Sequence, residues 1–281
     1  MKLPGRTDEL IERVLEANSN VCVVVQSGTP CEMPWSHRVP AIVQVGQVEA
    51  IATDREADRP WYSCFQAFYG GNAGGLAIGD ILFGHANPSA KLPVSFAHRL
   101  EDNPSHPFYP GPHGKSLYQE DIFVGYRGLA MRSTPVLGCF GHGLSYTTFD
   151  VSNANKVAQT VEPRDRQLSI EVEVDVCNAG SDRAGAEVVQ LYVKPPLTTS
   201  VPRPARELAD FQKVSLAPGE SKTTKFKLER DAFSYWFSLD ETRGYWRVDA
   251  GEYELEFGTS SEDIKQVLVI EIDTGFEWQG L

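Results

Sequence analysis

The side chains able to do acid–base or nucleophilic chemistry are scattered along this chain. Glu101-Asp102 and Glu120-Asp121 are adjacent carboxylate pairs. Neighbouring residues point apart, whereas a hydrolytic pair must face a common point, so solvated loop charges account for them better. Ser27, His37 and Asp54 can be written as a nucleophile–base–orienter set, but no G-x-S-x-G elbow surrounds Ser27. Gly70, Gly71, Gly74 and Gly75 hint at a phosphate cradle. They show neither the G-x-G-x-x-G register nor the Lys-Ser/Thr of a P-loop, and close helix packing is the better account. Trp236 and Trp246 read most simply as core or rim aromatics, with sugar stacking as the alternative. The five cysteines (Cys22, Cys31, Cys64, Cys139, Cys177) form no C-x-x-C pair, and the six histidines do not cluster. No metal site, cofactor or disulfide framework is expected, and buried thiols suit a reducing compartment.

The elements that would have to position such groups fall into two textures. At 281 residues, 41% hydrophobic and 23% charged, the chain can bury one large or two ordinary cores. Its net charge of −12 lacks the basic footprint of a nucleic-acid binder. No apolar run approaches the roughly 18 residues of a membrane span. Met1-Lys-Leu-Pro-Gly leads directly into a polar helical pattern, so no signal peptide is expected and the location is expected to be cytoplasmic.

Thr7 to Asn18 reads as a helix, with Thr7 at the N-cap and Leu10, Ile11, Val14 and Leu15 on one face. Val21 to Val25 is a continuous apolar run, as a strand buried on both faces of a parallel sheet requires. Gln26-Ser-Gly-Thr-Pro30 follows at its carboxyl end, where open α/β sheets place ligand loops. Val39 to Val43 is a candidate second strand, and Asn72 to Phe83 a helix closed by Gly84. Asn87 to Gly114 is rich in Pro, Gly and His and is expected to run as an irregular surface loop. Tyr118 to Phe149, aromatic and punctuated by glycine, suits either a seam between domains or an ordinary aromatic loop. Beyond it, Leu168 to Val176 alternates strictly. Strand patterns follow at 186–194, 206–214, 222–228, 244–249, 251–258 and 267–272, with turns such as Ala217-Pro-Gly219 between them. About seven short strands predict an immunoglobulin-like or fibronectin-like sandwich.

Certain runs carry a resemblance. They are Val23-Val-Val-Gln-Ser-Gly-Thr-Pro-Cys-Glu-Met-Pro-Trp35, Ala67-Phe-Tyr-Gly-Gly71 into Asp80-Ile-Leu-Phe-Gly84, and Asn87-Pro-Ser-Ala-Lys-Leu-Pro-Val94. Tyr118 to Arg127, Phe140 to Phe149, 184–193, Arg203 to Leu208 and Ala217 to Glu220 continue the series in order. On these runs the chain resembles the C-terminal part of glycoside hydrolase family 3 enzymes, the β-glucosidase group and particularly its fungal members. The resemblance implies a partial α/β sandwich, half of the family's C-terminal α/β domain, over 1–115. A connector over 116–160 and an all-β fibronectin type III-like sandwich over 161–281 follow.

Family 3 hydrolysis uses two carboxyl groups about 5–5.5 Å apart. By the resemblance, the aspartate nucleophile belongs to an N-terminal (β/α)8 barrel, in a Ser-Asp-Trp motif that this chain lacks. The glutamate acid/base aligns just before Met1. No catalytic residue is therefore assigned, substrate-binding residues stay unknown, and loops after Val25 and around Trp35 are those that would face the barrel cleft. The implied function is a fragment of a retaining β-glucosidase of carbohydrate catabolism and cellulose degradation, inactive alone. It would meet β-glucoside only in the complete enzyme, with a barrel in cis. The alternative is a non-catalytic scaffold or a carbohydrate or protein interaction module. Residues 45–66 are foreign to the pattern, which joins Val43-Gln44 directly to Ala67-Phe-Tyr-Gly-Gly71. A valine codon can open with the GT donor and a glutamine codon can close with the AG acceptor, so Val45 to Gln66 reads as a translated intron. Residues 1–115 are expected to be aggregation-prone or loosely packed, and roughly 160–281 to fold cooperatively.

Overall fold

The computed structural model describes residues 2–44, 71–111, 114–197, 199, 201–238 and 243–280. Asp54 and the foreign stretch 45–66 lie outside the described residues. Strands dominate, with few helices, and no helix among the described residues is long and apolar enough to cross a membrane.

Helix α1 (Thr7–Ala17) leads to strand β1 (Cys22–Val25), strand β2 (Ala41–Gln44) and helix α2 (Gly74–Leu82). The helix starts one residue earlier than Thr7 suggests. Arg6 holds the cap position, and Thr7 Oγ1 donates back to Pro4 O at 2.6 Å instead of capping an amide. β1 and β2 pair in parallel, Cys22 opposite Ala41 through Val25 opposite Gln44. One face, with Val23 and Val25, joins Ile11, Leu15, Met33 and Trp35 in a core. On the other, Cys22 and Val43 meet Ile78 and Leu82 of α2.

The expected burial of β1 on both faces is not realised. Val24 is 37% exposed, because α2 covers Cys22 and Val43 but leaves Val24 open. Leu76 and Phe83 on α2 are each 72% exposed. The stretch expected as a surface loop is irregular, with short 3-10 turns at Leu100–Asp102 and His106–Phe108, yet it is not all surface. Leu92, Phe96 and Ala97 are buried, and strand β3 (Phe96–Ala97) pairs antiparallel with β4 (Val136–Gly138), which follows helix α3 (Tyr126–Met131).

Ten strands follow among the described residues: β5 (Phe149–Glu162), β6 (Gln167–Asn178), β7 (Gly185–Lys194), β8 (Glu207–Leu216), β9 (Ser221–Glu229), β10 (Tyr235–Ser238), β11 (Gly244–Val248), β12 (Gly251–Gly258), β13 (Ile264–Ile272) and β14 (Phe276–Trp278). They order as β13-β12-β7-β8, β5-β6-β9 and β10-β11-β14. The alternation of β6 buries Leu168, Ile170, Val172, Val174 and Val176 against Val189, Leu191, Tyr253, Leu255 and Phe257 from β7 and β12. Each fully buried side chain of this kind contributes about 1.5–3 kcal/mol. All seven strand patterns are present. The sequence does not mark β5, which occupies ground expected to be connector. Its register shifts between Ser152 and Asn155 and again between Lys156 and Ala158, which breaks the two-residue period.

Candidate functional site

The sequence's candidate groups do not come together. Ser27 Oγ donates to Thr29 O at 2.8 Å and accepts from Gln44 Nε2 at 3.1 Å, while His37 sits exposed in the 3-10 turn Ser36–Arg38. Asp102 is held by Arg99 at 2.7 Å, which keeps its carboxyl below the usual range. Glu120 and Asp121 lie in a surface turn in which Asp121 N donates to Tyr118 O. The loop around Trp35 turns this side chain inward. It is fully buried, and its Nε1 donates to Asp8 Oδ1 at 2.8 Å. Trp236 is 48% exposed and packs edge-on against Trp246, which stacks in turn on buried Trp278. Two well-formed cavities among the described residues have no Asp or Glu in their walls.

The structure does bring together a polar seam between the two halves, with the aromatic stretch 118–149 crossing it. Tyr126 stacks on Phe140 at 4.7 Å and meets Tyr192 of β7 edge-on, while its hydroxyl accepts from Leu208 N at 2.9 Å. Burial pushes the Tyr126 phenol up. Gln190 Nε2 donates to Gly141 O and Thr259 O, and Tyr192 donates to Gln190 Oε1 at 2.5 Å. Tyr146 reaches back to Ile81 O, and Arg183 donates to Gly84 O while lying over the Tyr146 ring.

Two residues fasten the loop after α2. Asn87 Nδ2 donates to Ala184 O, and its Oδ1 accepts from Ser145 Oγ and Tyr146 N. Lys91 Nζ meets Glu187 Oε1 at 2.6 Å, each side chain 11% exposed. Sequence reasoning missed both, since their types signal nothing without partners on β7 and its approach. Asn87→Ala removes the acceptor of Ser145 Oγ and Tyr146 N and the donor to Ala184 O, and is expected to cost about 1–3 kcal/mol, read as a lowered midpoint in thermal unfolding.

His142 also lies at this seam. Burial lowers its pKa first, the nearby Lys91 lowers it further, and Asp263 opposes both. The unfolded chain therefore binds this proton more readily than the folded one. Stability is complete above the unfolded value of about 6.5 and falls as pH drops below it. Urea unfolding across about pH 8 to 5.5 should show that fall, and His142→Gln should flatten it.

Such a seam joins a small parallel α/β unit to a β-sandwich. It can position loops. That pairing of units is a known one. The Glycosyl hydrolase family 3 C-terminal domain matches residues 1–58 and 47–126, and the Fibronectin type III-like domain matches residues 187–261. The chain belongs to glycoside hydrolase family 3, as a C-terminal portion of its β-glucosidases. It is 44% identical over its whole length to the probable beta-glucosidase I of Aspergillus clavatus, and 41% to the beta-glucosidase of Kluyveromyces marxianus. It superimposes on the crystal structure of the Kluyveromyces marxianus enzyme in complex with glucose with a TM-score of 0.82, covering 100% of this chain and 30% of that one. The Bifidobacterium adolescentis GH3 beta-glucosidase gives 0.80 at 34% identity, covering 98% of this chain and 36% of that one. The chain thus spans about 30% of the length of the curated relatives it matches.

Proposed function

We propose that this chain is the C-terminal scaffold of a retaining β-glucosidase: a partial α/β sandwich and its fibronectin type III-like support, with nucleophile and acid/base supplied from outside. The observation that carries this is the end-to-end match to β-glucosidases of which it represents less than a third. The open face supports it. Val24, Leu76 and Phe83 leave apolar area uncovered, and the β1–β2 pair has no further strand beside it among the described residues. Exposed apolar area with free strand edges is what a missing packing partner leaves behind. In the complete enzyme that face takes the rest of the α/β layer and a (β/α)8 barrel, and β-glucoside binds between them.

Immobilising the part of the Kluyveromyces marxianus enzyme that precedes the matched region provides the test. The chain should be retained, and Leu76→Asp with Phe83→Asp should reduce retention. Equal passage of the chain through coupled and blank resin would refute the reading.

We also infer that residues 45–66 are a retained intron. The domain pattern matches in two passes that overlap within this stretch, which supports the inference. A spliced transcript encoding Gln44 followed by Ala67 is expected. Finding the 22 codons in every mature message would end the idea.

A further inference from the structure

Trp236, Trp246 and Trp278 stand side by side across β10, β11 and β14. The row runs out of the sandwich core. Trp278 is buried in that core and Trp246 packs against it, whereas Trp236, on the edge strand β10, is not among the side chains packed there. Tryptophan is highly buried on average, so an indole half open to solvent stands out. It is also held in place. Trp246 meets it edge-to-face with centroids 5.6 Å apart, and its ring passes over Gly244, where a β-carbon would come within 2.6 Å of Trp236 Cε2 and Cζ2. Glycine at 244 therefore makes room for the indole beside β11.

We propose that Trp236 is a stacking platform for a neutral β-linked glucose oligomer, with Trp246 and Gly244 fixing the ring. A pyranose presents a face of C–H groups that an indole face can cover, while its hydroxyls stay in water and the indole Nε1–H can donate to one of them. Such contact needs no cavity. A protein partner fits less well. Stable interfaces bury about 800 Å² on each side. Among the described residues of β10, β11 and β14, Trp236 is the only large apolar side chain that is exposed. An anionic polymer is disfavoured by the chain's net charge of −12. The choice of glucose among sugars rests on the β-glucoside reading above; the stacking geometry does not.

The full chain is titrated with cellotetraose and, in parallel, with choline, following tryptophan indole N–H signals by NMR and heats of binding. Cellotetraose is expected to saturate with a Kd on the order of 1 mM, shifting the Trp236 indole signal. Choline, the cation that an aromatic cage would take, should bind far more weakly. Trp236→Ala, at an exposed position, should keep the fold and weaken the sugar at least about tenfold. Trp236→Phe restores a smaller ring and should recover part of that loss. Gly244→Ala puts a methyl group where the indole lies and should weaken binding about fivefold. Trp236→Ala should still be retained by the Kluyveromyces marxianus fragment as the wild type is, so the two readings can fail separately. Four results would overturn the site: no saturable indole shift up to about 20 mM cellotetraose, choline bound as well as the sugar, unchanged affinity in Trp236→Ala, or resin retention lost with Trp236, which would make it a protein contact. If Trp236→Ala fails to fold, the wild-type shift and Trp236→Phe decide the matter.

Discussion

Given 4-nitrophenyl β-glucoside, the isolated chain is expected to release nitrophenol no faster than buffer does. Retaining hydrolysis needs one carboxylate to attack the anomeric carbon and a second, about 5–5.5 Å away, to protonate the leaving oxygen. Several of the described carboxylates are committed elsewhere. Arg99 holds Asp102, Lys91 holds Glu187, and Leu100 N donates to Glu32 Oε1. Glu256 is buried beside Arg206, and burial pushes its carboxyl up. That upward shift is what a general acid needs, but Glu256 is on the sheet face opposite the sandwich core, held by Arg206, and lines neither of the cavities described above. Enzymes accelerate such reactions by about 10⁶-fold or more, so on the proposed reading, with both acids supplied from outside, the loss should be total in effect. Turnover that tracks the purified chain through every column would contradict this.

Glu187→Gln is expected to destabilise the chain by about 3–5 kcal/mol, measured by urea unfolding. The substitution takes the paired carboxylate from the buried Lys91 ammonium, leaving Gly143 O at 3.4 Å as its acceptor and Asp263 as a more distant charge. A buried pair is costly to break from one side, yet replacing both members with apolar residues is often neutral. Lys91→Met with Glu187→Leu should therefore recover most of the loss. A double variant as unstable as the single one would mean that the site depends on packing and not on charge. Because the pair spans the seam, the single variant should also loosen the loop after α2 before the sandwich melts.

Hydrogen exchange should show the same division. Amides of β6, β7, β9 and β12 lie in the sandwich core and are expected to open only with global unfolding. Those of β1 and β2, a two-stranded sheet with an exposed valine, should exchange far sooner. Equal protection of both parts would count against the idea that the α/β unit awaits a partner.

How much of this was legible depended on the range of the forces involved. β6 and β9 could be read because one buried face forces strict alternation, visible within a few residues. β5 could not, since two bulges disturb its period and most of its side chains meet water. β10 and β14 are short and aromatic, and they gain meaning only from the cross-strand row Trp236, Trp246 and Trp278. The apolar run at β1 announced a strand, but whether both faces are covered depends on what packs there, which no local pattern encodes. The seam was only half legible: its aromatics were visible, while Asn87 and Lys91 acquire their roles from residues nearly a hundred positions away.

The most direct test is a graft: the final 30% of the Kluyveromyces marxianus β-glucosidase replaced by this chain, with and without residues 45–66, and assayed for kcat/KM on an aryl β-glucoside. In at least one form the hybrid should keep activity within about tenfold of the parent, a difference of about 1.4 kcal/mol in transition-state stabilisation. A folded hybrid that binds no glucoside and turns none over in either form would contradict the account.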